Sequence, residues 1–127
     1  GAAVKYIWDY NAAIKENLIL IEQMTDVTGS SADKIRQSIQ SITETYGRDF
    51  KETLQEVKEL ANDFGLTYSD ALDVYNKGLA QGGNLNKEFG DSIREYGVLF
   101  QQAGFSAEEF VAVINSSCAY LVSFNTF

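Results

Sequence analysis

Two short segments of this chain follow one pattern: a glycine, an apolar residue, a serine or threonine, and an acid three positions after the hydroxyl. They are Gly65-Leu66-Thr67 with Asp70, and Gly104-Phe105-Ser106 with Glu109. Glycine adopts the left-handed conformation that ends a helix, the apolar residue folds back onto that helix, and the hydroxyl accepts hydrogen bonds from the first amides of the next one. Each segment therefore predicts a tight corner between two helices.

The second corner carries a further signal, a capping box in which Ser106 and Glu109 satisfy each other's backbone amides. A looser copy of the pattern occurs at Thr28-Gly29-Ser30-Ser31, so the corner glycines Gly29, Gly65 and Gly104 lie 36 and 39 residues apart. That spacing is about the length of two short helices with their turns. We therefore predict stacked helical pairs joined at these corners.

The absence of proline supports the same fold class. None of the 127 residues is proline, against an average usage of about 5%, so the corners depend on glycine. With 45% apolar residues, the chain can bury roughly two thirds of its unfolded surface in one core. We predict an all-α fold of about six helices, a longer N-terminal helix followed by short helical pairs, in one domain over residues 1–115.

Residues 3–25 carry a heptad repeat, which we call the N-terminal seam. Its positions alternate at spacings of three and four: Val4, Ile7, Asn11, Ile14, Leu18, Ile21 and Thr25. Such a seam is typical of a long helix that pairs with another helix. An amphipathic helix packing on its own domain is the simpler alternative, because three heptads are the lower limit for a coiled coil. We expect self-association here, with Ile7, Trp8, Ile14, Leu18 and Ile21 as candidate contacts; Tyr6, Trp8 and Tyr10, partly beside the seam, either contact a neighbour or cover the core.

The remaining helices are predicted from apolar spacing and from caps. We expect helices from Ser30 or Ser31 to Gly47, from Asp49 to Gly65, from Tyr68 to about Ala80, from near Phe89 to before Gly104, and from Ser106 onward. A plain turn is expected at Gln81-Gly82-Gly83-Asn84. In the fifth helix Phe89, Ile93, Tyr96 and Phe100 recur at core spacing, and Tyr96 with Phe100 gives a second candidate interaction surface.

Residues 116–127 fit no helical period and carry neither charge nor glycine. Three interpretations stay open: a helix extension buried on all sides, a short strand used in self-association, or a non-native end.

The side chains that carry most enzyme chemistry are missing. Histidine is absent and Cys118 is the only cysteine, so the usual general base, zinc sites and nucleophile pairs have no candidates. The 18 acids are best explained by first helical turns and solvated faces. A hydrolase that works by two carboxylates stays open in principle, but no pair stands out, so we predict no catalytic, cofactor or metal residue.

Net charge and hydropathy argue against a nucleic-acid-binding protein and against a membrane-spanning one. The net charge of -8 disfavours nucleic-acid binding, which needs clustered Lys and Arg. The most apolar stretch, residues 110–124, is 15 residues long, short of the roughly 20 that a membrane span needs. We therefore expect neither nucleic-acid binding nor a membrane span in this chain.

Three segments together resemble a known family. They are Phe64-Gly65-Leu66-Thr67-Tyr68-Ser69-Asp70-Ala71-Leu72, Gly78-Leu79-Ala80-Gln81-Gly82-Gly83-Asn84, and residues 95–110, EYGVLFQQAGFSAEEF. This set is similar to the N-terminal helical region of tail tape-measure proteins of long-tailed bacteriophages, and residues 95–110 are its most specific part. With 26–32 included, the resemblance covers about 90 residues. Beyond Asn115 the family would continue through another glycine-containing turn, and this chain departs from it there.

The resemblance implies a structural role without catalysis. Such a protein sets tail length while tail-tube subunits polymerise around it, and it occupies the lumen of the virion tail after assembly in the bacterial cytoplasm. The implied partners are tail-tube or tail-tip subunits. A helical regulatory or adaptor module that binds a partner helix beside Tyr96 and Phe100 is the alternative.

Overall fold

The computed structural model describes the backbone of residues 2–125 and the side-chain environments of residues 4–5 and 7–116. The described backbone forms six α-helices and one π-helical turn, without a strand, and about 84% of the chain is helical. The all-α prediction is confirmed. The helices are α1 (Ala2–Thr25), α2 (Gly29–Tyr46), α3 (Phe50–Phe64), α4 (Tyr68–Gly78), α5 (Phe89–Gln102) and α6 (Ala107–Asn125), with the π-helical turn at Leu79–Gly83.

Backbone contacts divide the chain into two compact units, which we call unit 1 (residues 1–54) and unit 2 (residues 55–127). Unit 1 holds α1, α2 and the start of α3, and unit 2 holds the rest of α3 with α4 to α6. The expectation of one domain over residues 1–115 stays a prediction.

In unit 1, α1 and α2 pack together as a helical hairpin. The connection turns at Asp26, whose φ of 59° is left-handed. The Thr25 hydroxyl donates to the Ile21 carbonyl at 2.6 Å and accepts from the amide of Val27 at 3.2 Å. The buried apolar side chains of α2 lie on one stripe, Ala32, Ile35, Ile39 and Ile42, as its helical period requires.

The start of α2 differs from the prediction. Gly29 is its first residue, with a φ of 65°, and Thr28 is the N-cap without a side-chain hydrogen bond. Ser30 and Ser31 are exposed within the first turn. The prediction that one of these serines opens the helix is wrong, because Gly29 redirects the backbone before the chain reaches them.

The corner between α2 and α3 is formed by a glycine and an aspartate cap. Gly47, with a φ of 68°, ends α2 and donates its amide to the carbonyl of Thr43 at 2.8 Å. The Asp49 carboxylate then accepts from the amide of Glu52 at 3.0 Å, which satisfies one of the four free amides at the start of α3. This bond fixes where α3 begins.

The core of unit 2 is largely aromatic. Phe110 of α6 stacks on Phe64 of α3, with ring centroids 5.5 Å apart, and contacts Phe100 of α5 at 4.9 Å. Tyr75 of α4 lies 5.4 Å from Phe89 of α5. Rings in such tilted or offset arrangements stabilise a core beyond the area they bury. Four helices are thus joined through side chains that are far apart in sequence.

Glycine lets α4 approach α6 closely. A Cβ at Gly78 would overlap the Cγ1 of Val111. Three residues after Gly78 the backbone leaves regular α-helical geometry: Gln81 has a ψ of 16° and Gly82 a φ of 117°. The predicted turn between helices therefore lies at Gln81 and Gly82, where the backbone is not helical, because only glycine adopts such a φ readily.

A side chain from α6 reaches this turn. The Asn115 amide nitrogen donates to the carbonyl of Gly78 at 3.1 Å, and its oxygen accepts from the amide of Asn86 at 3.4 Å. Asn86 is buried and its own oxygen accepts from the backbone amide of Glu88 at 3.0 Å. The connection between α4 and α5 is thereby fixed by hydrogen bonds to α6.

The helix α6 runs to Asn125, so the backbone of the apolar tail is helical over residues 116–125. Among the three interpretations of the tail, the helix extension agrees with this backbone and the short strand does not. The burial of side chains 117–127 lies outside the described residues.

Candidate interaction surfaces

The N-terminal seam changes from buried to exposed along α1. Ile21 is fully buried, Leu18 and Ile14 are half-buried, and Ile7 is 56% exposed. Val4, one heptad position earlier, is exposed as well. The seam thus packs within the chain near its C-terminal end and faces solvent near its N-terminal end.

The aromatic residues beside the seam extend this exposed strip. Trp8 is 72% exposed. Tyr10 is exposed too, but its hydroxyl accepts a hydrogen bond from Gln40 of α2 at 3.4 Å, so it partly covers the hairpin. Tyr6 lies outside the described side chains. We call the exposed set Val4, Ile7, Trp8 and Asn11 the N-terminal strip.

Polar contacts on α2 fix the hairpin next to this strip. Arg36 is buried to 8% exposure, pairs with Asp33 at 2.9 Å and donates to Gln40 at 2.6 Å. Hydrogen bonds from Arg36 and Gln37 hold the pKa of the Asp33 carboxyl below its ordinary value. Gln40, which contacts Tyr10, is thereby positioned by a neighbour one turn away.

The second predicted surface is divided by the structure. Phe100 is half-buried between Phe105 and Phe110, each with ring centroids at 4.9 Å. Tyr96 is instead 41% exposed, although the spacing of residues 89, 93, 96 and 100 predicted it in the core. The exposed apolar side chains of this region are Tyr96, Val98 and Leu99 of α5 and Phe105 of the corner after it, which we call the α5 outer face. Val98 and Leu99 are not among the contacts predicted from sequence, and Phe105 is predicted only as a corner residue.

Both hydrogen bonds of the predicted capping box are present at the start of α6. The amide of Ser106 donates to Glu109 at 3.0 Å, and the amide of Glu109 donates to the Ser106 hydroxyl at 3.1 Å. The two hydrogen bonds with Ser106, backbone first, hold the pKa of Glu109 below its ordinary value. At the other corner the Thr67 hydroxyl accepts from the amide of Asp70 at 3.1 Å.

The three corner glycines share a left-handed φ, although Gly29 begins a helix where the pattern predicts that it ends one. Gly29, Gly65 and Gly104 have φ values of 65°, 64° and 92°, where a Cβ is strained even though free space surrounds each position. These cap and corner residues position the helices and lie at three separate corners.

Few of the described side chains are arranged for metal binding or catalysis. They hold no group of three or more Cys, Asp or Glu arranged to bind a metal ion. An open depression of about 250 Å³ is lined by Gln81, Ala112, Asn115 and Ser116; none of these four is a proton-transferring residue at neutral pH. The apolar helix faces are therefore the strongest candidates for function.

No helix in the described part of the chain is long and apolar enough to cross a membrane. Comparison with known protein families, with curated proteins and with solved structures found no match for this chain.

Proposed function

We propose that this chain is a non-catalytic assembly module of the phage tail tape-measure class, which acts through contacts between helices. The observation that carries the proposal is the N-terminal strip. There the heptad seam faces solvent, and Ile7 of the seam and the neighbouring Trp8 are exposed. The similarity of residues 64–110 to the tape-measure family supports the same class of role. Apolar surface of this kind is characteristic of protein contact sites.

The partner we propose for the N-terminal strip is a second copy of the chain, with α1 helices in parallel. Asn11 occupies a core position of the heptad, and one asparagine at such a position fixes the register of a parallel pair. Residues 4–16 contain two lysines and two acids, Lys5, Lys15, Asp9 and Glu16, so this segment is neutral in a chain of net charge -8. Two copies can meet here without bringing like net charges together.

Light scattering against protein concentration tests this pairing. We expect the native chain to shift from monomer toward dimer as concentration rises, and Ile7→Glu to stay monomeric because a carboxylate would have to be buried. Ala13→Glu is the matched control, since Ala13 is exposed on α1 outside the seam. The emission of Trp8, the only tryptophan, should move to shorter wavelength on pairing.

A native chain that stays monomeric at millimolar concentration would contradict the pairing. So would equal effects of Ile7→Glu and Ala13→Glu. Asn11→Val sharpens the test, because loss of the register-fixing amide should give mixed oligomers in place of one dimer.

The role in tail assembly needs a phage that carries the intact gene. Deleting these helices should impair tail initiation or assembly, whereas shortening a helical region downstream should shorten the tail in proportion, at about 1.5 Å per residue. Normal tails of normal length after both deletions would contradict the proposal. A lumenal location further requires that the acidic chain repel phosphates, so tight DNA binding at moderate salt would contradict that part.

An adaptor role is the second candidate, and the α5 outer face favours it. Tyr96 and Leu99 lie three residues apart on the same helix and are both exposed, which suits an amphipathic partner helix. Leu99→Glu should then abolish binding of that partner. It should leave the self-association through α1 unchanged.

A further inference from the structure

Two acidic side chains of α3 lie against two glycines of α5 within unit 2. Glu56 and Asp63 are seven residues apart, as are Gly90 and Gly97. A Cβ at Gly90 would overlap Oε1 of Glu56, and a Cβ at Gly97 would overlap Oδ2 of Asp63. Because residues seven apart lie on the same helical face, each carboxyl group occupies the space that a side chain on α5 would otherwise take.

The two carboxyl groups differ in their hydrogen bonding. Glu56 is 2% exposed and its Oε2 accepts from the hydroxyl of Tyr75 on α4 at 3.0 Å. The Oδ2 atom of Asp63 is inaccessible to solvent and has no hydrogen-bond partner. A buried oxygen without a donor disfavours the charged form of the group.

The charges around Asp63 add to this effect. Burial is the larger cause that raises the pKa of Asp63, and repulsion from Glu59, one turn earlier on α3, is the second. Toward Asp63, α5 presents Gly97, and its Arg94 pairs with Asp91 at 2.8 Å. From the other elements, α4 directs Tyr75 at Glu56, and α6 places Phe110 on Phe64, the residue that follows Asp63.

We propose that the Asp63–Gly97 contact is a pH-sensitive latch, which holds α5 against α3 when Asp63 is protonated and loosens when Asp63 gives its proton to solvent. Asp63 is half-buried, and in its neutral form the inaccessible Oδ2 atom carries no unpaired charge. In the ionised carboxylate, the inaccessible Oδ2 atom gains hydration only if α5 moves away. Since α5 also carries Tyr96 and Leu99, the latch would control the order of the α5 outer face.

The direction of the pH dependence follows from linkage. A group whose pKa is higher in the folded than in the unfolded chain stabilises the fold below its unfolded pKa, and this contribution is lost as pH rises through its folded pKa. Asp63 should therefore stabilise the α3–α5 contact in acid and not at neutral pH. The paired acids Asp33 and Glu109 act in the opposite direction, so the test must isolate Asp63.

The contribution of Asp63 is measured by urea unfolding of the full chain at pH 4 to 7.5. The native protein and Asp63→Asn are compared at each pH. The amide keeps the shape of the protonated carboxyl but does not ionise. For each pH unit between the folded and unfolded pKa values of Asp63, we expect the unfolding equilibrium constant of the native chain to rise tenfold relative to Asp63→Asn. Asp73→Asn, at an exposed site on α4, should follow the native curve.

Two measurements on chains with Asp63 in place keep the proposal testable if Asp63→Asn does not fold. Amide hydrogen exchange around Gly97, corrected for the intrinsic pH dependence, should be slower in acid than at pH 7. Glu59→Gln should lower the titration midpoint of the Asp63 carboxyl observed by NMR, because it removes the repelling charge. Parallel pH curves for the native chain and Asp63→Asn, or an ordinary Asp63 titration midpoint, would overturn the proposal.

Discussion

Trp8 of unit 1 and Phe110 of unit 2 are both large aromatic side chains, but they differ in solvent exposure. Trp8 in unit 1 is 72% exposed, whereas Phe110 in unit 2 is fully buried. Both lie on amphipathic helices with apolar residues at regular spacing. Phe110 has aromatic neighbours on α3 and α5, while the N-terminal end of α1 leaves its seam exposed. Regular spacing determines which residues share a face, and burial requires neighbouring elements to cover that face.

The largest effect separating the units is expected from Phe110→Ala. Removing a buried ring leaves a cavity between α3, α5 and α6, which typically costs about 3–5 kcal/mol. Trp8→Ala is the matched change in unit 1 and should alter the unfolding free energy by no more than about 0.5 kcal/mol. Urea unfolding followed by circular dichroism at low protein concentration measures both.

Equal destabilisation by these two variants would break the comparison, because it would place Trp8 in a core. A small effect of Phe110→Ala would instead mean that unit 2 collapses around the cavity.

The second largest destabilisation is expected from Gly90→Ala, which adds a methyl group at a closely packed position of unit 2. The added Cβ overlaps the carboxyl of Glu56, and overpacking of this kind typically costs about 1–3 kcal/mol. Val98→Ala on the exposed side of the same helix is the control and should be nearly neutral. A stabilising Gly90→Ala, as helix propensity alone would give, would show that α5 does not approach α3 this closely.

The smallest effect compares two helix starts. Ser106→Ala removes a hydroxyl that accepts from the amide of Glu109 and should cost about 1 kcal/mol. Thr28→Ala, at the start of α2, should cost less because the Thr28 side chain makes no capping hydrogen bond. Ser106→Asp should retain most of the native stability. Thermal melts of the three variants rank them, and the reverse order for Ser106→Ala and Thr28→Ala would contradict these caps.

Local signals in the sequence predicted the helices and their corners better than they predicted which side chains are exposed. The corner at Gly104 and the cap at Ser106 depend on a few adjacent residues, so their chemistry is visible in the sequence. The exposure of Tyr96 depends on where α3 and α6 lie, and helical spacing carries no information about that. The start of α2 was misplaced because two serines near Gly29 offered plausible caps and the glycine backbone decided the position.

The acids of α3 were interpreted as solvated, and Glu56 shows why that fails. A carboxylate on an amphipathic helix normally faces water, yet Glu56 is buried against Gly90. The available signal was the equal spacing of the two acids and the two glycines. It becomes meaningful only once α3 and α5 are known to be neighbours.

The hydrogen bond from Asn115 to the Gly78 carbonyl joins residues 37 positions apart. Its donor lies on the last helix of the chain, so the break between α4 and α5 gains this partner only after α6 has been made and has docked. During synthesis the nascent chain must therefore hold or re-form the Gly82 turn without it. The C-terminal boundary of α4 consequently has one hydrogen bond that depends on the docking of α6.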